Sequence, residues 1–115
     1  RKERSPVQDP IQEMATLRTM LDRALVEHKA RGKMLAQKER DYKVASAKRV
    51  LVLRAEGYPA TLIPDLTRGD ETIAKLRMER DIAQTLYDTS REAINSYKLQ
   101  IRIVQEQIKR EWENV

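Results

Sequence analysis

From Ile73 to Ile108 the chain steps through positions 73, 76, 80, 83, 87, 90, 94, 97, 101, 104 and 108, an unbroken alternation of three and four. Nine of these eleven positions are apolar, and only Arg80 and Ser90 depart from the pattern. A stripe that repeats about every 3.5 residues faces one partner along a whole helix, so the spacing predicts a coiled-coil strand. Asp70 is placed to cap its start, which gives a helix over about 71–113.

An earlier and weaker stripe runs through Ile11, Met14, Leu17, Leu21, Leu25 (or Ala24), His28, Gly32, Leu35, Tyr42, Ala45 and Leu53, with Lys38 and Glu39 interrupting it. Asp9 reads as the N-cap, Pro10 fits the first turn, and Gln12 completes a capping box. Gly57 is the natural stop, a left-handed residue just past the last turn. This helix spans about 10–56, roughly 70 Å at 1.5 Å per residue. The preceding residues 1–8 are polar and expected to be a loose tail.

Residues 58–70 hold two prolines and a glycine, together with Leu62, Ile63 and Leu66. That is too apolar for a plain exposed loop. The expectation is a short helical turn from Thr61 to Arg68, capped by Thr61 and stopped by Gly69, whose leucines and isoleucine plug the open end of a hairpin.

Two long helices joined by a short connection fold back antiparallel. The fold class is therefore all-α: a single domain over 1–115 built as a long antiparallel two-helix coiled-coil hairpin with a short helical tip. Folding about the middle of the connection pairs residues whose numbers add to about 126. Tyr42 then meets Ala83, Leu35 meets Ser90, Gly32 meets Ile94, His28 meets Tyr97 and Met14 meets Trp112. Gly32, unfavourable in a helix by about 1 kcal/mol against Ala, either admits a close approach or marks a kink. Leu86, Leu99, Ile103, Met20, Val26 and Met34 fall beside the seam, which points to a homodimer in the form of a four-helix bundle.

Composition agrees with this shape. Phe is absent, aromatics are 4% and charged residues 36%, which suits long helices burying a narrow stripe rather than a thick core with a deep pocket. No small-molecule substrate or cofactor is expected. The absence of Cys excludes disulfides, thiol catalysis and thiolate metal sites, and is compatible with a reducing, cytoplasmic setting. The longest apolar run, 50–53, is far too short to span a bilayer, so no membrane role is expected. No signal peptide is visible, and the lack of an initiator Met leaves an upstream segment open.

The net charge of +5 is unevenly placed. Residues 1–27 balance, as do residues 71–113, whereas residues 28–54 carry nine basic side chains against Glu39 and Asp41. At 100° per residue, Lys29, Lys33, Arg40, Lys43 and Arg54 share a sector of about 80° and form a stripe about 37 Å long. Such a stripe could follow duplex DNA phosphates or dock onto an acidic protein. Arg31, Lys38 and Arg49 fall nearer the seam, where their stems can cover core and their heads can meet acids of the second helix.

Catalytic chemistry finds little support. His28 is the only histidine and lies on the seam, where it reads as a core hydrogen-bonding residue. A conventional zinc site has no second histidine or cysteine to use. Neither a Gly-rich phosphate loop nor a nucleophile elbow is present. The Arg68-Gly69-Asp70 triplet is explained as a helix stop followed by a cap. Leu53, Gly57, Ile63, Leu66 and Thr72-Ile73 echo a helix-turn-helix, but one residue is missing between Ile63 and Leu66, and Pro64 interrupts the candidate helix.

The segments Leu53-Arg54-Ala55-Glu56-Gly57, Arg68-Gly69-Asp70, Ala74-Lys75-Leu76-Arg77, Arg80-Asp81 and Gln107-Ile108-Lys109-Arg110-Glu111-Trp112 resemble small helical proteins encoded by phages and prophages of Gram-positive bacteria. The resemblance covers about residues 40–112. It implies a phage setting in the bacterial cytoplasm and a host or phage protein as partner, and it supplies no functional residues.

The functional expectation is a non-enzymatic protein-binding adaptor or inhibitor, with Tyr58 and Leu62 anchoring the tip. The alternatives are a DNA-binding accessory protein using Lys29, Lys33, Arg40, Lys43 and Arg54, and a structural or scaffold coiled-coil module.

Overall fold

The computed structural model describes residues 8–114; of the tail expected at residues 1–8, residues 1–7 lie outside them and Gln8 belongs to the first helix. The chain is all-α, with α1 at Gln8–Ala55, α2 at Ile63–Gly69 and α3 at Glu71–Glu113, and no strand among the described residues. It is a long helical hairpin that divides into two compact units. One joins the residues up to Lys29 with those from Thr89 onward, and the other is Ala30–Asp88. α1 and α3 each run through both.

The seam of α3 behaves as its spacing demands. All eleven positions are buried or half-buried, including the two polar departures. α1 shows the same alternation in its burial, at 14, 17, 21, 24, 28, 31, 35, 38, 42, 45 and 49. Ala24 rather than Leu25 takes the inward place, and Leu25 is exposed. Three of these α1 positions are Arg31, Lys38 and Arg49, so long cationic stems complete a stripe that apolar residues alone leave broken.

In the unit formed by residues up to 29 and from 89, Leu17, Ile94 and Val104 are buried. His28 Nδ1 lies 2.7 Å from Ser90 Oγ. In the unit Ala30–Asp88, Leu53, Ile63, Ile73 and Ala83 are buried. There Lys38 meets Glu79 on α3 and Arg49 meets Asp70, which caps α3, both at 3.5 Å, the acidic partners that the seam-side cations call for. A Cβ placed on Gly32 would stand 3.2 Å from Tyr87 Cε1, so the glycine admits the tyrosine ring at close approach.

These contacts correct the expected pairing. Four of the five pairs that touch across the helices have numbers adding to 117–119, Tyr42 with Arg80 adds to 122, and none reaches 126. His28 therefore meets Ser90 instead of Tyr97, Gly32 meets Tyr87 instead of Ile94, and Trp112, expected against Met14, is exposed. The displacement is one heptad. Sliding one strand by seven residues returns every seam position to a seam position, so the apolar pattern alone does not distinguish the two registers.

The displacement originates in the connection. α1 ends at Ala55, and Gly57 just past it has a φ of 87°, the left-handed conformation expected there. Gly57 N donates to Arg54 O at 3.0 Å and Tyr58 N to Leu53 O at 3.2 Å, the paired bonds of a Schellman motif. α2 then packs beside the last turns of α1, so the chain reverses near Tyr58-Pro59-Ala60 and not in the middle of residues 58–70. Leu62 occupies the N-cap of α2 without a side-chain bond, so Thr61 is not the cap. Pro64 opens α2 instead of interrupting it, as its missing N–H permits in a first turn.

Helix ends elsewhere also depart from expectation. α1 already includes Gln8, so Asp9 is a first-turn acid, not the N-cap. Gly69 is the last residue of α2, and the break falls on Asp70, which is extended at φ −65° and ψ 131°. Asp70 Oδ1 accepts from Ile73 N at 3.1 Å, capping α3 as its side chain suggests.

The heptad displacement has a direct test. Gly32→Val should destabilise the protein by about 1–3 kcal/mol through overpacking against Tyr87. Adding Tyr87→Ala should make the valine nearly harmless, whereas adding Ile94→Ala should not. Urea denaturation of the four proteins reads the coupling.

Candidate binding surfaces

At the tip, α2 sorts its side chains by face. Ile63 and Thr67, one turn apart, are buried, and so is Leu53 on α1. Leu62 and Leu66 turn the other way and are exposed, so of the expected end plug only Ile63 serves. Tyr58 and Leu62, at 45% and 49% exposure, stand beside the reversal. Leu62 N donates to Pro59 O at 3.0 Å, which tightens the turn that presents them. An apolar knob not consumed by the protein's own packing is what an anchor for a partner requires.

The second surface is cationic. Lys33, Arg40, Lys43 and Arg54 are exposed on α1 within the unit Ala30–Asp88, and Lys29, also exposed, closes the α1 part of the other unit. Arg40 lies 3.5 Å from Asp41. Lys33, Lys43 and Arg54 meet no acid within 4.0 Å among the described residues. Position relative to the seam separates these from Lys38 and Arg49, whose charges are matched across the helices.

Arg80, one of the two polar seam residues, stacks 4.6 Å above the Tyr42 ring. It also donates to Asp81 from Nε at 3.1 Å and Nη2 at 2.8 Å. The Asp81 hydrogen bond holds the guanidinium above its ordinary range, against a smaller opposing effect of desolvation. Ser90, the other polar seam residue, meets His28. Sequence reasoning placed both as interruptions, and each turns out to be half of a cross-helix contact.

A groove of about 380 Å³ lies between α1 and α2, lined by Tyr42, Ser46, Val50 and Arg54 on one side and Ile63, Thr67 and Arg68 on the other. Ser46 and Thr67 carry no seam signal, and nothing in the sequence marked the groove. α1 and α2, the helices on either side of Gly57, are separated by residues 56–62, longer than the three- or four-residue turn of a helix-turn-helix. No group of three or more His, Cys, Asp or Glu able to hold a metal occurs among the described residues, and no described helix is long and apolar enough to cross a membrane. Comparison with protein families, curated proteins and solved structures gives no match.

The division of labour on α2 is measurable. Ile63→Ala should cost about 2–4 kcal/mol in urea denaturation. Tyr58→Ala and Leu62→Ala should each stay within about 0.5 kcal/mol.

Proposed function

We propose that the chain is a non-enzymatic protein-binding adaptor or inhibitor that engages its partner through the tip. The observation that carries this reading is the exposure of Tyr58 and Leu62 while Leu53, Ile63 and Thr67 do the packing. Large apolar side chains outside the core, on a turn held by backbone bonds, bind with little loss of conformational freedom. The phage resemblance of residues 40–112 names the setting for such a partner, a bacterial host or phage protein in the cytoplasm. Homodimerisation belongs to the same reading, supported by exposed Met34, Ile82 and Leu86.

A photo-crosslinking amino acid in place of Leu66, beside the anchors, tests the tip in cells. One discrete crosslinked protein is expected, lost when Tyr58→Ala and Leu62→Ala are added. A crosslink pattern unchanged by the double substitution would sink the tip reading. Light scattering on the purified chain should give twice 13.5 kDa if copies pair.

A second reading, an accessory protein on duplex DNA, is supported by the exposed Lys33, Lys43 and Arg54 that meet no acid. Phosphate contacts displace counterions, so affinity should fall at least ~10-fold between about 50 and about 200 mM salt. Fluorescence anisotropy with labelled duplex checks this. Glu at Lys29, Lys33, Arg40 and Lys43 should abolish the signal, and its persistence in that variant would reject the stripe.

A further inference from the structure

α1 carries a second line of side chains with seam spacing. Arg40, Val44, Ala47, Leu51 and Arg54 follow one another at intervals of four and three. At 100° per residue they share a sector of about 80°. That sector points away from Tyr42, Ala45 and Arg49, which lie on the seam, and from Ser46 and Val50, which line the groove with α2. All five are exposed, Leu51 at 63% and Val44 at 39%.

The charge around this line has one sign. Arg40 and Arg54 stand at its two ends, and Lys43 and Lys48, both exposed, flank it on either side. Between Asp41 and Glu56 the sequence holds no acid. Arg40 lies 3.5 Å from Asp41. Lys43, Lys48 and Arg54 meet no acid within 4.0 Å among the described residues.

The width of the line selects its occupant. A helix that seeks a membrane surface presents a broad apolar sector, whereas a coiled-coil strand presents two positions in seven. The narrow form is the one here, and it fits a single helix. Ala47 leaves room for a large side chain of that helix to seat between Val44 and Leu51. Symmetric pairing with a second copy would set the four cations against themselves. The complement is a helix with carboxylates beside its own apolar line.

We propose that the outer face of α1 over residues 40–54 docks an acidic amphipathic helix of another protein. Val44, Ala47 and Leu51 form the apolar line, and Arg40, Lys43, Lys48 and Arg54 pair with the carboxylates. This face does not rest on the tip as an anchor, since Tyr58 and Leu62 lie beyond the last residue of α1. It shares Arg40, Lys43 and Arg54 with the DNA reading, but phosphates have no use for Leu51.

The probe is a synthetic peptide of about four heptads, long enough to hold a helix, with Leu at its seam positions and Glu beside them. A control peptide carries Lys in place of Glu. Each is labelled and titrated with the whole chain, and fluorescence anisotropy reads binding. The acidic peptide should bind and the basic one should not. Val44→Ala with Leu51→Ala should weaken binding at least ~10-fold through lost apolar burial, while the melting temperature changes little. Lys43→Glu with Lys48→Glu should exchange the preference, so that the basic peptide binds and the acidic one does not. Tyr58→Ala with Leu62→Ala should leave the acidic peptide bound as before, so this face and the tip fail separately.

No binding of the acidic peptide overturns the proposal, as does a failed exchange of preference. Binding that keeps its strength without Val44 and Leu51 is attraction of charge alone and overturns it too. Phosphatidylglycerol vesicles that bind through Leu51 when the peptide does not would put a membrane surface on this face instead. A dimer that Leu51→Glu makes monomeric would put a second copy there, and either result overturns the acidic helix.

Discussion

A seam that repeats every seven residues holds two helices together without saying where along each other they should stop. Slide one strand by a heptad and the same classes of side chain meet again, at little change in buried apolar area. Apolar packing therefore supplies cohesion, and another kind of contact has to supply position. In this chain that contact is the small set of polar and shape-specific pairs across the helices: Gly32 with Tyr87, Lys38 with Glu79, Tyr42 with Arg80, Arg49 with Asp70, and, in the other unit, His28 with Ser90. A slip of seven residues would set Lys38 against Leu86 and Gly32 against Ile94, leaving Glu79 and the Tyr87 ring without their complements. Everything at the tip depends on this choice, because the register decides which turns of α1 lie beside α2.

The end of α1 and the start of α3 are consequences of the same choice. Arg49 and Asp70 close the long-helix pairing, and Asp70 also caps α3 through Ile73. α2 flanks α1 from Tyr42 to Arg54. The extended backbone at Asp70 lets the chain step from α2 to α3 without losing contact with α1. α2 is thus a short strand of the hairpin broken off at one residue, not a lid on its end. This is why the reversal falls at Tyr58-Pro59-Ala60, and why the groove between α1 and α2 exists at all.

What the sequence disclosed follows from where the signal is redundant. α3 was legible position by position, because eleven positions in an unbroken three-four alternation outweigh two polar departures. The seam of α1 was camouflaged: Arg31, Lys38 and Arg49 occupy inward places, and hydrophobicity does not record a buried stem beneath a charged head. Their proposed reach to acids of the other helix was readable from angle alone, and two of the three acids are now named. The register was not readable, since it turns on Ser90 and Gly32, whose meaning appears only when their partners are known. Likewise Leu62, Ile63 and Leu66 look equivalent in composition, and only the phase of a seven-residue helix separates the buried one from the exposed two. Thr67, with no apolar signal, takes the second buried place.

Cations on one helix here do two different jobs, and the angle from the seam decides which. Lys38 and Arg49 lie close enough to it to be matched by carboxylates across the helices, so their charge is spent inside the fold. Lys33, Lys43 and Arg54 lie too far round to reach α3, and no acid on their own helix meets them. An excess charge that stability does not use destabilises weakly through self-repulsion. Its concentration on one half of one helix, while residues 1–27 and 71–113 stay balanced, is hard to derive from folding alone. Of these three cations Arg54 lines the groove with α2, and Lys33 and Lys43 lie outside it.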